Sequence, residues 1–268
     1  MLRSGRERNL RMIGEQFARY PSLGGKVVLI TGGGSGIGAS MVEHFAHQGA
    51  KVAFLDVAED ASRELVDALT KSSEHAPTFI ACDLTNIDLL RVSINKADET
   101  LGPIDVLVNN AANDERHKWE ETTPEYWDKM MEVNLRHHFF AMQAIAPGMK
   151  ARGQGSIINM SSISWMIPGT GFPAYITAKS GIVGLTRTMA RELGPSGVRV
   201  NCVLPGGILT EKQRRLWWTP EYESRIMAGQ SIKRTLMPDD VSRLVLFLAA
   251  DDSSAITNQS YIVDGGWV

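Results

Sequence analysis

Cysteine is scarce in this chain of 268 residues, and its two copies, Cys82 and Cys202, lie far apart. Each stands inside a strand-like run, "FIACDL" or "VNCVLP", which indicates a buried thiol rather than a disulfide or a metal ligand. Unpaired thiols are typical of proteins in a reducing compartment, so we expect a cytoplasmic protein without a metal site.

Long apolar runs and an excess of positive charge are also lacking. No apolar stretch approaches the roughly 18 residues that suggest a membrane span, so we expect no membrane association. The formal net charge of −2 leaves no basic footprint for nucleic acid. The 43% of hydrophobic residues suffices for the large core of one α/β domain.

Residues 1–22 differ from the rest of the chain. This stretch is rich in arginine but has no apolar core, which excludes a secretory signal. Glu7 and Glu15 argue against an Arg-rich transit peptide. We expect either an unstructured tail over residues 1–22 or a true start at Met12, with one folded domain over residues 23–268.

From Lys26 onward, short β-rich runs alternate with helical patterns. Most of the runs are nearly continuous in apolar residues, as in parallel strands that are covered on both faces. The sequence therefore predicts a single Rossmann-like, doubly wound α/β domain with a mainly parallel seven-stranded sheet and helices on both faces. The predicted strands are "KVVLITG", "KVAFLD", "TFIACDL", "DVLVNNA", "SIINMSS", "RVNCVLPG" and "YIVDGG".

Residues 207–236 interrupt this alternation after the strand that ends at Pro205. Their sequence, "GILTEKQRRLWWTPEYESRIMAGQSIKRTL", is too long and too mixed for a tight connection. A segment of this kind is more often a functional lid than a structural necessity, so we expect a lid here.

The first predicted strand leads into the glycine-rich turn "TGGGSGIG". Gly32, Gly36 and Gly38 allow the backbone to approach a pyrophosphate at the start of the next helix. Asp56, at the end of the second strand, is placed to accept both hydroxyls of an adenosine ribose and to repel a 2′-phosphate. Asp56 could instead cap the next helix. Since Ser35 stands where a phosphate-binding cation would be needed, the turn favours NAD over NADP.

Tyr175 and Lys179 in "YITAK" are four residues apart, which puts both side chains on one face of a helix. Such pairs also occur by chance on solvated helices. Together with "NNAA" (109–112), Asn134 and Ser162, however, the chain resembles the short-chain dehydrogenase/reductase family from about residue 23 to its end. Ala112, where the family usually has glycine, is the one departure from that family's pattern.

The resemblance implies a catalytic role for four residues. Tyr175 would be the general base, and Lys179 together with the positive nicotinamide ring would lower its pKa from about 10. Lys179 would also hold the nicotinamide ribose. Ser162 would orient the reacting oxygen, and Asn134 would hold a water that passes the proton from Lys179 to solvent. Structural roles, a strand-end cap for Ser162 and a bent helix at Asn134, are the alternatives.

The resemblance also implies the contacts of the cofactor. Asp83 and Leu84 would flank the adenine, Asn109 would lie along a ribose, and Ile208 with Thr210 would meet the carboxamide. The complete predicted set is Gly32, Ser35, Gly36, Ile37, Gly38, Asp56, Asp83, Leu84, Asn109, Tyr175, Lys179, Pro205, Ile208 and Thr210.

The substrate is suggested by the polar loop "NDERHKW", residues 113–119, and by Trp217 and Trp218 in the lid. Charged hydrogen bonds suit vicinal hydroxyls, and an aromatic face suits the C–H side of a pyranose. A solvated loop and tryptophans packed within the lid are an equally good explanation from the residues alone. The predicted substrate contacts are Asn113, Asp114, Arg116, Ser162, Ser164, Trp165 and Tyr175.

Within the family, "NNAANDERHKW", "SISW" and "LWWTPE" resemble the aldose 1-dehydrogenases. This resemblance implies NAD-dependent oxidation of a sugar at C1 to its lactone, with D-xylose as the first candidate, in a homotetramer. Two alternatives stay open. A 3-oxoacyl or other carbonyl reductase would need a more apolar loop at 113–119 and a basic residue near Ser35. A non-catalytic dinucleotide-binding regulator would have no need for Tyr175 and Ser162.

Overall fold

A computed structural model describes residues 17–167 and 169–268. Seven strands form one sheet in the order β3-β2-β1-β4-β5-β6-β7, and every neighbouring pair is parallel. The predicted doubly wound fold is confirmed, with shorter strands than the apolar runs suggested. The strands are β1 (Val27–Thr31), β2 (Lys51–Asp56), β3 (Thr78–Ala81), β4 (Val106–Asn109), β5 (Gly155–Met160), β6 (Val198–Pro205) and β7 (Ser260–Val263).

The described residues form nine α-helices, most of them between consecutive strands. A π-helical turn at Glu132–Arg136 joins the fourth helix to the fifth. The helices are α1 (Gly36–His47), α2 (Glu59–Thr70), α3 (Ile87–Leu101), α4 (Pro124–Met131), α5 (His137–Arg152), α6 (Pro173–Leu193), α7 (Glu211–Leu216), α8 (Pro220–Gly229) and α9 (Pro238–Ala249).

The core has two main layers, one on each face of the sheet. On one face the side chains of β1, β2 and β4 pack with α1 and α9, and on the other they pack with α3, α5 and α6. Successive strand residues point to opposite faces, so a strand covered on both faces has to be apolar at every position. All five residues of β1 are buried, as this requires.

The strand order predicts where in the sheet the candidate site lies. The chain leaves β1 in one direction towards β3 and in the other towards β7, so the order reverses between β1 and β4. In open parallel sheets, ligands bind outside the carboxyl ends of the strands at such a reversal. The glycine-rich turn, Asp56 and the segment after Asn109 all follow the carboxyl ends of these strands.

The segment 207–236 branches from the end of β6 and contains α7 and α8. A bridge between Ile208 and Leu236 closes its base, and the amide of Leu209 donates to the carbonyl of Leu236 at 2.9 Å. The two ends of the segment therefore lie side by side, as expected of a flap that is attached at one edge of the sheet. We refer to residues 207–236 as the lid.

The chain ahead of β1 contacts the domain from residue 17 onward; residues 1–16 of the predicted tail lie outside the described residues. The amide of Tyr20 donates to Gln48 Oε1 at 2.8 Å, and the Tyr20 ring lies 6.3 Å from that of Phe247. Leu23 is fully buried. No helix within residues 17–167 and 169–268 has the length and apolar content needed to cross a membrane.

Candidate active site

A cavity of about 1120 Å³ runs along the carboxyl ends of the strands. Its walls come from the glycine-rich turn, the ends of β2 to β6, the loop after β4, the start of α6 and the lid. Of the predicted cofactor residues, all but Gly36 and Asn109 line this cavity. Of the predicted substrate residues, all but Trp165 line it, and that indole is 37% exposed outside the cavity.

The glycine-rich turn has the shape of a cradle for a pyrophosphate. Gly32 and Gly36 have φ values of 67° and 56°, in the left-handed region that favours glycine. A Cβ on Gly38 would lie 1.8 Å from the carbonyl oxygen of Gly32. Ser35 begins α1 without a side-chain cap, which leaves the first amides of the helix to bind an anion. The residues present therefore fit a dinucleotide.

Asp56 ends β2 and lines the cavity beside this turn. Its Oδ2 accepts a hydrogen bond from the amide of Gly34 at 2.7 Å, and its Oδ1 accepts one from the amide of Ala58 at 2.9 Å. The carboxylate is thus held in place by the backbone on both sides. Each oxygen keeps a second lone pair, so the fixed carboxylate can still accept from a ribose hydroxyl.

Asn109 does not line the cavity, and its predicted contact with the cofactor stays a prediction. It is fully buried at the end of β4, where its Nδ2 donates to Asn159 Oδ1 at 2.9 Å. The neighbouring Asn110 lines the cavity instead and ties the glycine-rich turn to β4, donating through Nδ2 to the carbonyl of Gly32 at 2.9 Å. Consecutive residues of a strand point to opposite sides, which explains the exchange of roles.

Tyr175 and Lys179 lie one turn apart near the start of α6, as their spacing predicted. The Lys179 Nζ donates to the carbonyl of Met160 at 2.8 Å and lies 5.5 Å from the centre of the Tyr175 ring. Ser162 follows β5, and its Oγ accepts from the amide of Ser164 at 3.1 Å. A phenol, a cation and a hydroxyl therefore meet at one end of the cavity.

The protein itself does not lower the pKa of Tyr175. Burial raises that pKa well above its usual value, and the charge of Asp114 adds to the effect; hydrogen bonding by Ser162 and the charge of Arg116 oppose it. Burial also lowers the pKa of Lys179 to about 8. Burial outweighs the nearby charges of the protein, and the predicted joint effect of Lys179 and a bound nicotinamide ring on the pKa of Tyr175 stays a prediction.

Asn134 occupies the π-helical turn between α4 and α5 and does not line the cavity. Its Oδ1 accepts from the amide of Asn113 at 2.8 Å, while its Nδ2 donates to the carbonyls of Asn113 at 3.1 Å and Met130 at 3.0 Å. The side-chain amide is therefore engaged with backbone. It fixes the start of the polar loop, and the predicted water contact of Asn134 stays a prediction.

The polar loop is joined to the lid by charged and polar side chains. Asp114 Oδ1 accepts from Lys212 Nζ at 2.8 Å, and its Oδ2 accepts from Gln213 Nε2 at 2.6 Å. Burial alone would raise the pKa of Asp114, but the contacts of Lys212 and Gln213 lower it below its usual value. Asn113 and Asp114, two of the seven residues predicted to bind substrate, thus both contact Lys212.

Aromatic rings complete this end of the cavity. The Arg116 guanidinium lies 3.8 Å from the ring centre of Phe172 and 5.5 Å from that of Trp217 in the lid. Trp218 lines the cavity and packs edge-on against Tyr222 at 5.7 Å. Of the two lid tryptophans, Trp218 lines the cavity and Trp217 does not, and the predicted contact with a sugar ring stays a prediction. Sequence reasoning did not identify Gln213, Tyr222 or Trp267 as lining residues, since no motif marks them.

One buried polar atom at this end has no partner. Ser164, which is 8% exposed, lines the cavity, and its hydroxyl has no hydrogen bond to any described residue. A buried hydroxyl without a partner is costly, so the site suits a ligand with a polar group at this point. No cluster of three or more metal-binding side chains occurs in the described part of the chain.

Known proteins resemble this chain over nearly all of its length. The family model described as "Enoyl-(Acyl carrier protein) reductase" matches residues 32–268. D-xylose 1-dehydrogenase of Caulobacter vibrioides is 50% identical over 250 residues, covering 93% of this chain and 98% of that protein. "Probable galactose dehydrogenase GalD" of Rhizobium meliloti is 49% identical, with 93% and 97% covered.

A solved structure agrees with the fold. The crystal structure of a 3-oxoacyl-(acyl-carrier protein) reductase with bound NAD from Brucella melitensis superposes with a TM-score of 0.84 at 31% identity, covering 93% of this chain and 94% of that one. The chain belongs to the short-chain dehydrogenase/reductase family of oxidoreductases, which use a nicotinamide dinucleotide.

Proposed function

We propose that this enzyme oxidises the C1 hydroxyl of a cyclic aldose to the lactone, with NAD as the hydride acceptor. D-xylose is the first candidate substrate, and D-galactose and L-arabinose follow. The relatives that are about half identical to this chain are named for D-xylose and for galactose, which supports an aldose over an acyl chain or a steroid.

The observation that carries the proposal is the chemistry of the cavity around Tyr175. The orphaned hydroxyl of Ser164, the stacked guanidinium of Arg116 and the aromatic face of Trp218 all line the end that holds the base. Hydrogen-bonding groups and an aromatic ring in one cavity suit the hydroxyls and the C–H side of a sugar ring. A fatty-acyl chain would leave the polar groups without partners.

In the proposed reaction, Tyr175 removes the proton of the C1 hydroxyl, and Ser162 holds the same oxygen by a hydrogen bond. The oxidised nicotinamide, when bound, takes up the hydride from C1. Lys179 would hold the ribose next to that ring and would favour the tyrosinate, since its ammonium lies one helical turn from the phenol. Because burial raises the pKa of Tyr175, the positive cofactor ring would have to supply the remaining stabilisation of the tyrosinate.

The preference for NAD over NADP rests on Asp56. This carboxylate is held by two backbone amides at the cavity wall, where a 2′-phosphate would meet its charge. In the described part of the cavity wall around it, from the glycine-rich turn to Thr85, no lysine or arginine is present to compensate that phosphate. Asp56 is therefore proposed to select the cofactor.

We also propose that the enzyme works as a homotetramer, assembled through α6 and the C-terminal strand β7. Strand β7 lies at the edge of the sheet and pairs only with β6 among the described strands. Its Ile262 is 40% exposed, and Val268 beyond it is 47% exposed. The apolar run "LVLFLAA" serves the chain's own core instead, because it lies largely buried in α9. A cytoplasmic location remains the expectation from the two free thiols.

The proposal is tested by following NAD and NADP reduction at 340 nm in the presence of a panel of pentoses and hexoses. We expect turnover with NAD and at least one aldose, D-xylose first, and weaker activity with NADP. If no aldose reduces either cofactor while a β-ketoacyl thioester oxidises NADH or NADPH readily, the enzyme is a carbonyl reductase and the proposal is wrong.

A further inference from the structure

Gln213 is held rigidly in the part of the lid that covers the cavity. Its amide donates to the Oγ1 of Thr210 at 3.2 Å, and its carbonyl accepts from the amides of Trp217 and Trp218, each at 2.9 Å. Both its neighbours in the chain and its own backbone are thus fixed within α7. The side chain lines the cavity.

Asp114 determines which way the Gln213 amide points. The Gln213 Nε2 donates to Asp114 Oδ2 at 2.6 Å, and the contacts of Lys212 and Gln213 lower the pKa of that carboxyl, so it is ionised at neutral pH. An ionised carboxylate only accepts hydrogen bonds, which excludes the reversed amide with Oε1 towards Asp114. The Oε1 is therefore directed away from Asp114.

This directed oxygen has no partner. The Gln213 Oε1 is buried and forms no hydrogen bond with any described residue. An unsatisfied buried acceptor is costly, and native proteins usually supply a protein, water or ligand donor for such an atom. The matching orphan, the Ser164 hydroxyl, belongs to the same cavity wall, so two polar groups lack partners in one substrate site.

We propose that Gln213 determines substrate specificity by accepting a hydrogen bond from a sugar hydroxyl other than the one at C1, and that Asp114 positions its amide for this purpose. The inference rests on the proposed aldose activity and deepens it. In this proposal the lid recognises one ring hydroxyl of the sugar. Asp114 acts as a positioning residue rather than as a sugar ligand.

The test compares wild type and Gln213→Met with the preferred aldose and with its 2-, 3- and 4-deoxy analogues, using NAD. Methionine keeps the length of the side chain and removes the acceptor. In the wild type, one analogue should lose roughly 10- to 100-fold in kcat/KM, because the buried acceptor is left unpaired. In Gln213→Met, kcat/KM for the parent sugar should fall by a similar factor. For that analogue, kcat/KM should stay close to its wild-type value.

Arg214→Met is the matched control, because Arg214 lies on the same helix, is exposed and does not line the cavity. This variant should keep the discrimination against the same analogue, whereas Asp114→Asn, which no longer fixes the amide, should weaken it. Equal losses for all the analogues and the parent in Gln213→Met would overturn the inference, as would loss of discrimination in Arg214→Met. Wild type that oxidises no aldose would instead refute the proposed function.

Discussion

Lys179 is a cation held almost completely out of water, with 1% of its surface exposed and the Met160 carbonyl as its hydrogen-bond acceptor at 2.8 Å. Burial lowers its pKa from 10.5 to about 8. Such a group costs folding free energy at neutral pH, because the unfolded chain would hydrate the same charge. At the scale of one residue, the cation beside Tyr175 therefore lowers the free energy of unfolding.

Lys179→Met should abolish turnover and make the protein more stable at pH 6.5, by about 1–3 kcal/mol. The advantage should shrink above pH 8. Between its folded pKa of about 8 and the higher unfolded value, the wild-type lysine binds its proton more tightly in the unfolded chain, so wild-type stability rises with pH in this range. Denaturant unfolding at pH 6.5 and 9.5 measures both effects.

The exposed Lys96→Met variant is the control for that experiment and should change little at either pH. A Lys179→Met protein that is less stable than wild type at pH 6.5, or one whose advantage does not vary with pH, would show that burial of the ammonium is not costly.

Asp56 is the second residue with a separable effect. Asp56→Asn removes the charge but keeps an acceptor for the Gly34 amide, so the glycine-rich turn should keep its shape. We expect the ratio of the NADP and NAD dissociation constants to fall by about tenfold or more, since the 2′-phosphate no longer meets a carboxylate. Asp56→Ala should also lower the ratio of the NADP and NAD dissociation constants. It should in addition weaken binding of both cofactors, because the acceptor for the Gly34 amide is lost. Fluorescence titration measures this, and equal affinities in the wild type would contradict it.

At the scale of elements, the strands and the cofactor turn were predictable because their signals are local. Strands β1 and β4 are almost entirely apolar, and the turn "TGGGSGIG" is glycine-rich because a side chain at Gly38 would collide with the backbone of Gly32. The pairing of Tyr175 with Lys179 follows from the helical repeat alone. The comparisons confirm the family resemblance. That resemblance implied catalytic and cofactor-binding roles that the hydrophobic periodicity alone does not predict.

The contacts of the lid could not be predicted in this way. Asp114 is about a hundred residues from Lys212 and Gln213 in the sequence. No local pattern around any of these residues predicts their hydrogen bonds. The same is true of Asn134, whose side chain turns to Asn113 because a π-helical turn changes its direction. Long-range polar contacts depend on how elements are arranged in space, which one unaligned sequence does not encode locally.

At the scale of the whole molecule, we expect a light-scattering mass near four times the 29.4 kDa of one chain. Ile262→Lys places a charge in the proposed contact at β7 and should lower that mass. Leu216→Lys, a matched change at an exposed apolar residue of the lid, should leave it unchanged. A wild-type mass near one chain at micromolar concentration would rule out the tetramer.

The most direct measurement of the proposed chemistry follows the hydrogen on C1. D-xylose deuterated at C1 is oxidised with NAD, and the reduced cofactor is analysed by mass spectrometry; Tyr175→Phe serves as the control and should transfer the same deuterium at a rate lower by about 10² or more. We predict that the reduced cofactor gains one deuterium from this sugar and none from D-xylose deuterated at C2. Deuterium that stays in the sugar product, or that is transferred from C2, would contradict oxidation at the anomeric carbon.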